Sequence, residues 1–483
     1  MECGPTFEIV GLPDAAVREA KDRVRAAIKN AGFVFPAKRI TVNLAPADLK
    51  KEGPVYDLAI SLGILASTEQ IDYGLVDGYV FLGELSLDGS IRGINGVLPR
   101  VSLLPYDGCG QVVVPAENAD EAALIQGINV YPATNLISLI RHLQGKKPIE
   151  PHAVDTHKFW NGRRVIADMS EVRGQLAVKR ALEVAAAGGH NILMLGSPGS
   201  GKTMLARRLP GILPELSLAE ALEVTNLYSL AGLLQPGKPL VTERPFRSPH
   251  HNISTSALVG GGKYPRPGEI SLAHLGVLFL DEVAEFKKDA LESLRQPLED
   301  GVVTISRVHA SVTYPARIML VASMNPCPCG FLGDAERECN CTPGQVQRYL
   351  HRLSGPLLDR IDLHIDVPRL SYDDLVQSPP GEASETIRRR VQRAREIQYS
   401  RFGPDAVNAV MSPAQLKKYC RMDKEGAGLL RTAFERLSLS ARSYNKIIKV
   451  ARTLADLSAS EDIRAEHIAE AIQYRSMERK YWQ

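Results

Sequence analysis

No apolar run in this sequence approaches the roughly 18 residues that a helix needs to cross a bilayer, so no membrane-spanning role is expected. The opening MECGPTFEIVGLPD has neither a charged n-region nor an apolar h-region. No secretory signal is expected, and the protein is read as cytoplasmic. A charge excess of one sign is also missing: 58 Lys and Arg stand against 55 Asp and Glu. Cysteine is sparse, at positions Cys3, Cys109, Cys327, Cys329, Cys339, Cys341 and Cys420. An odd count with four of them clustered excludes a disulfide framework and points to a metal site in a reducing compartment. Internal repeats and long low-complexity tracts are lacking too.

The composition that remains is globular. At 44% hydrophobic and 23% charged, the chain has enough apolar content to offset its conformational entropy. Its 483 residues predict about three domains at roughly 100–200 residues each. Charge is unevenly spread, because Glu385–Gln483 carries 20 Lys and Arg against 12 Asp and Glu. That local excess of +8 leaves −5 for the rest, and a basic last fifth fits either contact with a polyanion or a solvated helical face.

Three patterns follow one another. Residues 1–145 mix helix and strand: Val17, Ala20, Val24, Ala27 and Ile28 recur at helical spacing after Pro13-Asp14, with Gly32 as a stop. Strands are expected at Ile40–Leu44, Tyr79–Leu82 and Gln111–Val114. A polar linker spans 146–170. Residues 171–370 alternate strands and helices, the mark of a mainly parallel α/β sheet. A second break at 371–384 leads into a helix-rich end over 385–483.

The chemistry concentrates in the middle segment. Leu193–Leu195 is an apolar strand, followed by Gly196, Ser197, Pro198, Gly199, Ser200, Gly201, Lys202 and Thr203. This is G-x-x-x-x-G-K-[ST] between a strand and a helix, where backbone N–H groups wrap phosphates and the helix N-terminus adds positive potential. Lys202 is expected to reach the β/γ oxygens of ATP, and Thr203 to join the shell of Mg²⁺. Gly276–Leu280 is an apolar strand ending in Asp281 and Glu282. Paired with the phosphate loop, they read as an Mg²⁺-holding acid and a residue that polarises water. Asn325 closes another apolar strand, Ile318–Ala322, and fits a residue orienting water against the γ-phosphate.

Cys327, Cys329, Cys339 and Cys341 put four soft sulfur ligands in one short loop, an insertion over 327–341. Such a set suits structural Zn²⁺, since four sulfurs leave no open position; an iron–sulfur cluster also uses four. The loop begins two residues after Asn325 and would brace it. Adjacent His250 and His251 are read as loop residues rather than as a metal pair.

On these motifs the chain resembles the AAA+ class, in the branch of Mg-chelatase subunits and MCM helicases. The stretch GPLLDRIDLHI then implies an arginine finger at Arg360, acting in a neighbour's site. LSLSARSYNKIIKVARTLADL implies a sensor arginine at Arg442, acting in its own chain's site. A guanidinium at each would stabilise charge on the transferring phosphoryl. Ile305–Pro315 resembles the pore hairpin of MCM-like proteins, with His309 at the basic tip position and Arg307 beside it. A second insertion, from Arg247 to Arg266, mixes glycines with Lys263, Tyr264 and Arg266. Arg307, His309, Lys263 and Arg266 are the DNA-contact candidates, by charge and stacking.

IVGLPDAAVREAKDRVRAAIKNAGFVFP, RITVNLAPADLKKEGPVYDLAISLGILA and YVFLGELSLDGSIRGINGVLPR resemble the Lon-protease-like domain of the competence-related Mg-chelatase-like family (ComM, YifB). The resemblance covers nearly the whole chain. Val55 stands where Lon-type proteases carry the serine nucleophile, and Arg100 falls near the lysine position, so peptide hydrolysis is not expected. Relatives carry a longer lead before FEIVGLPD, and a missing first strand would leave an open sheet edge. The resemblance implies an α/β protein with a Lon-protease-like α/β domain over 1–145, an AAA+ P-loop α/β core over 171–370 and a helical lid over 385–483. It implies a ring, a homo-oligomer expected to be a hexamer, that uses ATP, Mg²⁺ and structural Zn²⁺ on branched or single-stranded DNA. The activity would be helicase or branch migration, in recombination during natural transformation. Two alternatives stay open: an Mg-chelatase-type motor subunit, and a non-translocating ATP-dependent assembly switch.

Overall fold

The computed structural model describes residues 6–47, 50–160, 167–262, 265–307, 310–334, 336–370, 376, 379–403, 406–436 and 440–482. Packing divides the chain into two compact units. One comprises Met1–Gly162 with Ala221–Val241, and the other Arg163–Glu220 with Thr242–Gln483. The stretch 221–241 begins within the helix Leu218–Ala231.

In the first unit the helix Ala15–Asn30 forms as its spacing predicts. Asp14 caps it by accepting a hydrogen bond from the Val17 N–H at 2.8 Å, and Val17, Ala20, Val24, Ala27 and Ile28 are its buried stripe. They share a core with Leu58, Leu62 and Leu65 of the helix Asp57–Ser67. Arg23 donates to the fully buried Asp57 at 2.7 Å, which keeps that carboxylate paired. Two parallel sheets accompany the helices. Phe7–Val10 pairs with Ile40–Asn43, and Gln111–Pro115 lies between Tyr79–Phe81 and Asn129–Ala133.

The second unit is built on a five-stranded parallel sheet in the order Leu363–Asp366, Ile192–Leu195, Met319–Met324, Val277–Leu280, Phe246–Arg247. The three central strands are buried at every residue, as a parallel sheet covered on both faces requires. Helices Leu176–Gly188 and Lys202–Ile212 contribute to that cover. The later helices Ser384–Phe402 and Ala441–Leu457 join the same core: Leu182, Ile192, Leu205, Val391, Ile447 and Leu454 form one apolar cluster. Residues on either side of 371–384, such as Val367 and Ile387, thus share one core. Ser384 pins the junction, accepting from the Met169 N–H at 2.8 Å.

A buried polar group ties the amino end of the sheet to the helices. Asp362 accepts from Lys446 at 2.9 Å and faces His190 Nδ1 at 3.2 Å, and His190 Nε2 meets Thr453 at 2.8 Å. Burial alone would raise the Asp362 carboxyl, but Lys446 and His190 outweigh it and hold it well below the usual carboxylate range. A carboxylate depressed in the folded state stabilises fully above its unfolded pKa of about 3.9, and that stability drains away as pH falls below it. Lys446→Met should therefore cost about 3–5 kcal/mol near neutral pH by leaving a buried charge without its cation. The loss of stability between about pH 4 and pH 2 should also become shallower. Denaturant unfolding at pH 7 and pH 3 measures both.

Candidate nucleotide site and cysteine cluster

Parallel strands deliver the first group of candidates to one edge. Ile192–Leu195 runs into Gly196, Val277–Leu280 into Asp281, and Met319–Met324 into Asn325, with Leu195 in register with Met324. Gly196 must be glycine, because a Cβ there would sit 2.4 Å from the Val367 carbonyl oxygen. Gly201 caps the helix Lys202–Ile212 at φ +91°, a left-handed conformation that other residues adopt only with strain. The loop curls round Lys202, whose Nζ donates to the carbonyls of Gly196 at 2.7 Å and Ser197 at 2.9 Å. Ser200 and Asn325 oxygens lie 3.4 Å from the same nitrogen. Burial lowers the Lys202 pKa, with Asp281 and Glu282 opposing. Pro198 and Gly199 form the exposed outer turn of the loop.

The acids are held from below. Asp281 accepts from the Thr203 hydroxyl at 2.7 Å and from the Ser323 hydroxyl, and Ser323 in turn accepts from the Glu282 N–H at 3.1 Å. The Thr203–Asp281 pair is a hydroxyl and a carboxylate side by side, a donor set that suits Mg²⁺. When bound there, the ion would neutralise charge on the phosphates; Thr203 and Asp281 would hold it. Glu282 stands at φ +52°, a rare left-handed setting for a non-glycine residue. Ser323 joins both acids, a contact that motif reading passes over. Its one signal is parity: two residues before Asn325 on a strand, it shares that residue's face.

Arg360 and Arg442 are not brought to this edge. Arg360 precedes the strand Leu363–Asp366, and its carbonyl accepts from Asn191, the residue before Ile192–Leu195. It therefore lies at the amino end of the sheet, about 15 Å of strand from the phosphate loop. Its guanidinium donates to the Pro356 carbonyl at 2.6 Å and pairs with Glu299; Asp359 and Asp362 are engaged elsewhere. Arg442 pairs with Asp359 at 3.1 Å and is largely exposed. Arg442, expected in its own chain's site, lies beside Arg360, because the helix Ala441–Leu457 packs at the amino end through Lys446 and Asp362.

Cys327, Cys329, Cys339 and Cys341 converge, their Sγ atoms all within 4.8 Å of one another. The Cys327–Cys329, Cys327–Cys339 and Cys329–Cys339 separations are 3.4, 3.6 and 3.6 Å. A zinc tetrahedron with bonds of about 2.3 Å sets its sulfurs about 3.8 Å apart, so the set fits the ion. Burial pushes the Cys327 thiol up to about 12, whereas backbone N–H groups, that of Phe331 foremost, bring Cys329 down to about 6. The loop leans on the phosphate loop. A Cβ on Gly330 would meet Pro198 at 2.6 Å, and Asp334 is hydrogen-bonded to Ser197. Tyr349, just beyond the cluster, accepts from the Asn325 backbone. Purified protein should carry about one zinc per chain by elemental analysis. Cys339→Ser should lower ATP turnover more than ATP affinity; a visible iron charge-transfer band in place of zinc would overturn the assignment.

The two hairpins also meet. Val302–Arg307 pairs antiparallel with Ala310–Pro315, and Gly260–Gly261 with Arg266–Pro267. Tyr314 donates to the Pro265 carbonyl at 2.8 Å, joining one hairpin to the other. Arg307 and Arg266 are exposed on them; the candidates Lys263 and His309, with Tyr264, lie outside the described residues. In the first unit Val55 is buried, and Arg100 donates to the carbonyls of Asn95 and Gly96.

Three family models match the chain. Residues 168–375 match the model of magnesium chelatase, subunit ChlI; residues 2–118 match subunit ChlI of Mg-chelatase, and residues 381–475 the ChlI C-terminal domain. Competence protein ComM of Haemophilus influenzae is 46% identical over 481 residues, covering 98% of this chain and 93% of that protein. The chain belongs to the ComM/YifB family of Mg-chelatase-like proteins. YifB of Escherichia coli is 45% identical over 478 residues, covering 98% of this chain and 92% of its own. The magnesium-chelatase 38 kDa subunit of Cereibacter sphaeroides is 26% identical over 174 residues, only 32% of this chain. As a ComM/YifB member the chain is an α/β protein with an N-terminal ChlI domain, an AAA ATPase core on a parallel sheet and a C-terminal helical domain. Among the described residues no helix is long and apolar enough to cross a membrane.

Proposed function

We propose that this protein is a ring-forming, ATP-driven motor that acts on branched or single-stranded DNA in the cytoplasm, in recombination during natural transformation. The observation that carries the reading is the separation of its catalytic groups. Lys202, Thr203, Asp281, Glu282 and Asn325 gather at the carboxyl edge of the sheet, and Arg360 stands at the amino end. A single chain then holds half of two different sites, and a closed ring, here a hexamer, completes each with the neighbour's Arg360 and Arg442. Lys202 would bind the β/γ-phosphates, Thr203 and Asp281 the Mg²⁺, Glu282 would take the proton of the attacking water and Asn325 would orient it. The cysteine loop would hold structural zinc and stiffen the phosphate loop it leans on. Arg307 and Arg266, on contacting hairpins, supply cationic groups for a phosphate backbone. The relative from Haemophilus influenzae bears the name competence protein, which agrees with work on DNA.

The chelatase reading draws on the family models, all three of which are named for a chelatase subunit. Against it stands identity of only 26% over a third of the chain with a chelatase subunit itself. A labelled fork incubated with ATP separates these readings from each other and from a non-translocating switch. The motor displaces or migrates a strand, a chelatase subunit leaves the fork untouched, and a switch binds it at most.

A further inference from the structure

We propose that the cavity at the amino end of the five-stranded sheet is a binding site for a small aromatic monocarboxylate, held through Arg395. The cavity measures about 180 Å³. Gly189, Gly276 and Ile318, which lead into three of the strands, line it together with Arg395 and Tyr399 of the helix Ser384–Phe402. The phosphate loop follows the other end of the same strands. Gly189 lets the walls close in: it stands at φ +70°, and a Cβ there would meet Val407 at 2.8 Å and Arg395 Nη2 at 3.6 Å.

Charge singles out Arg395. Arg244 and Arg317 also line the cavity, with Glu220 and Glu299. Arg244 faces both carboxylate oxygens of Glu220, at 3.2 and 3.3 Å, and donates to the Pro214 and Leu275 carbonyls at 2.6 and 2.8 Å. Glu299 is engaged by Arg360. Arg395 donates from Nε and Nη2 to the Ala186 carbonyl, at 3.2 and 2.8 Å, and bonds Tyr399. Glu220 attracts it from beyond ion-pair range, and among the described residues no carboxylate pairs with it. Burial, with the like charge of Arg244 adding to it, brings the Arg395 pKa down to about 10. An enclosed guanidinium without an anion carries a desolvation cost that a bound anion would offset.

The remaining walls decide what that anion is attached to. Leu213, Leu275, Leu298, Met319 and Val407 present apolar surface. An apolar cavity of about 150 Å³ admits a benzene ring, so this one takes a ring bearing a single small group. One unpaired cation matches one negative charge, as on a carboxylate. A phosphate dianion would set a second negative charge against Glu220 and Glu299 on the same walls. Glu220 and Tyr399 also border a groove along the helix Ser384–Phe402, which gives a small molecule its way in.

The test is isothermal titration calorimetry of the full chain, with ADP and Mg²⁺ present to fill the phosphate loop. Benzoate should bind once per chain with a Kd of about 0.1–1 mM. Benzyl alcohol keeps the ring and acetate keeps the charge, and each should bind at least about tenfold more weakly. Arg395→Met should lower benzoate affinity by at least about tenfold. Val407→Phe fills the cavity and keeps the guanidinium, and it should weaken benzoate by a similar factor. That variant decides the matter if Arg395→Met does not fold. No binding of benzoate up to about 10 mM overturns the proposal. So does acetate binding as tightly as benzoate, or parent-like benzoate affinity in Val407→Phe or in folded Arg395→Met.

Discussion

Arg360→Ala chains should hydrolyse ATP about 10³–10⁵-fold more slowly than the parent, the range that such guanidinium groups supply in phosphoryl transfer. Their melting temperature should scarcely move. In the isolated chain the Arg360 side chain pairs with an exposed Glu299, and an ion pair of that kind is worth about 0–1 kcal/mol. A large kinetic effect beside a small thermal one is the signature of a group that works on another chain. Mixing makes the point directly. Arg360→Ala chains keep Glu282, Glu282→Gln chains keep Arg360, and some interfaces of a mixed ring bring the two intact residues together. The mixture should recover activity that neither preparation has alone. Parent turnover per chain should also rise with protein concentration. Full activity in a dilute monomer, with no recovery on mixing, would show that Arg360 serves only the contact with Glu299.

Lys202→Ala and Glu282→Gln should both abolish turnover, and for separable reasons. Lys202 is the cation around which the phosphate loop closes, through Gly196 and Ser197, and it is buried there. Its removal deletes the charge that meets the phosphates, so nucleotide binding should weaken by at least about tenfold. Glu282 is held through its backbone N–H by Ser323. Its amide variant should bind nucleotide as the parent does and fail at hydrolysis by about 10²–10⁴-fold, the usual worth of a general base. Equilibrium binding of a fluorescent nucleotide beside single-turnover hydrolysis distinguishes the two. Parent-like turnover of Glu282→Gln would remove Glu282 from the base role.

The nucleotide edge was legible in the sequence because each of its parts follows a strand whose apolar run marks its own end. Leu195 leads to Gly196, Leu280 to Asp281 and Met324 to Asn325, and parallel pairing then puts all three ends on one side. The cysteines were legible for a related reason: four sulfurs within one short loop can hardly avoid one another. The helix Ala15–Asn30 was equally plain, since its buried positions repeat at the helical period.

Other features depend on contacts between distant segments, which no local pattern records. Arg442 belongs with Arg360 because Lys446, one turn further along the same helix, is buried against Asp362. The stretch 221–241 belongs to the first unit because Ser229 bonds the buried Glu121, over a hundred residues earlier. His251 meets Glu282 because two neighbouring strands of the sheet end side by side. Local sequence by itself determined the elements, their ends and the chemistry at those ends, since periodicity and loop composition act within a few residues. Tertiary structure alone decided which ends face one another, because burial rewards any complementary pair of surfaces regardless of how far apart the chain places them.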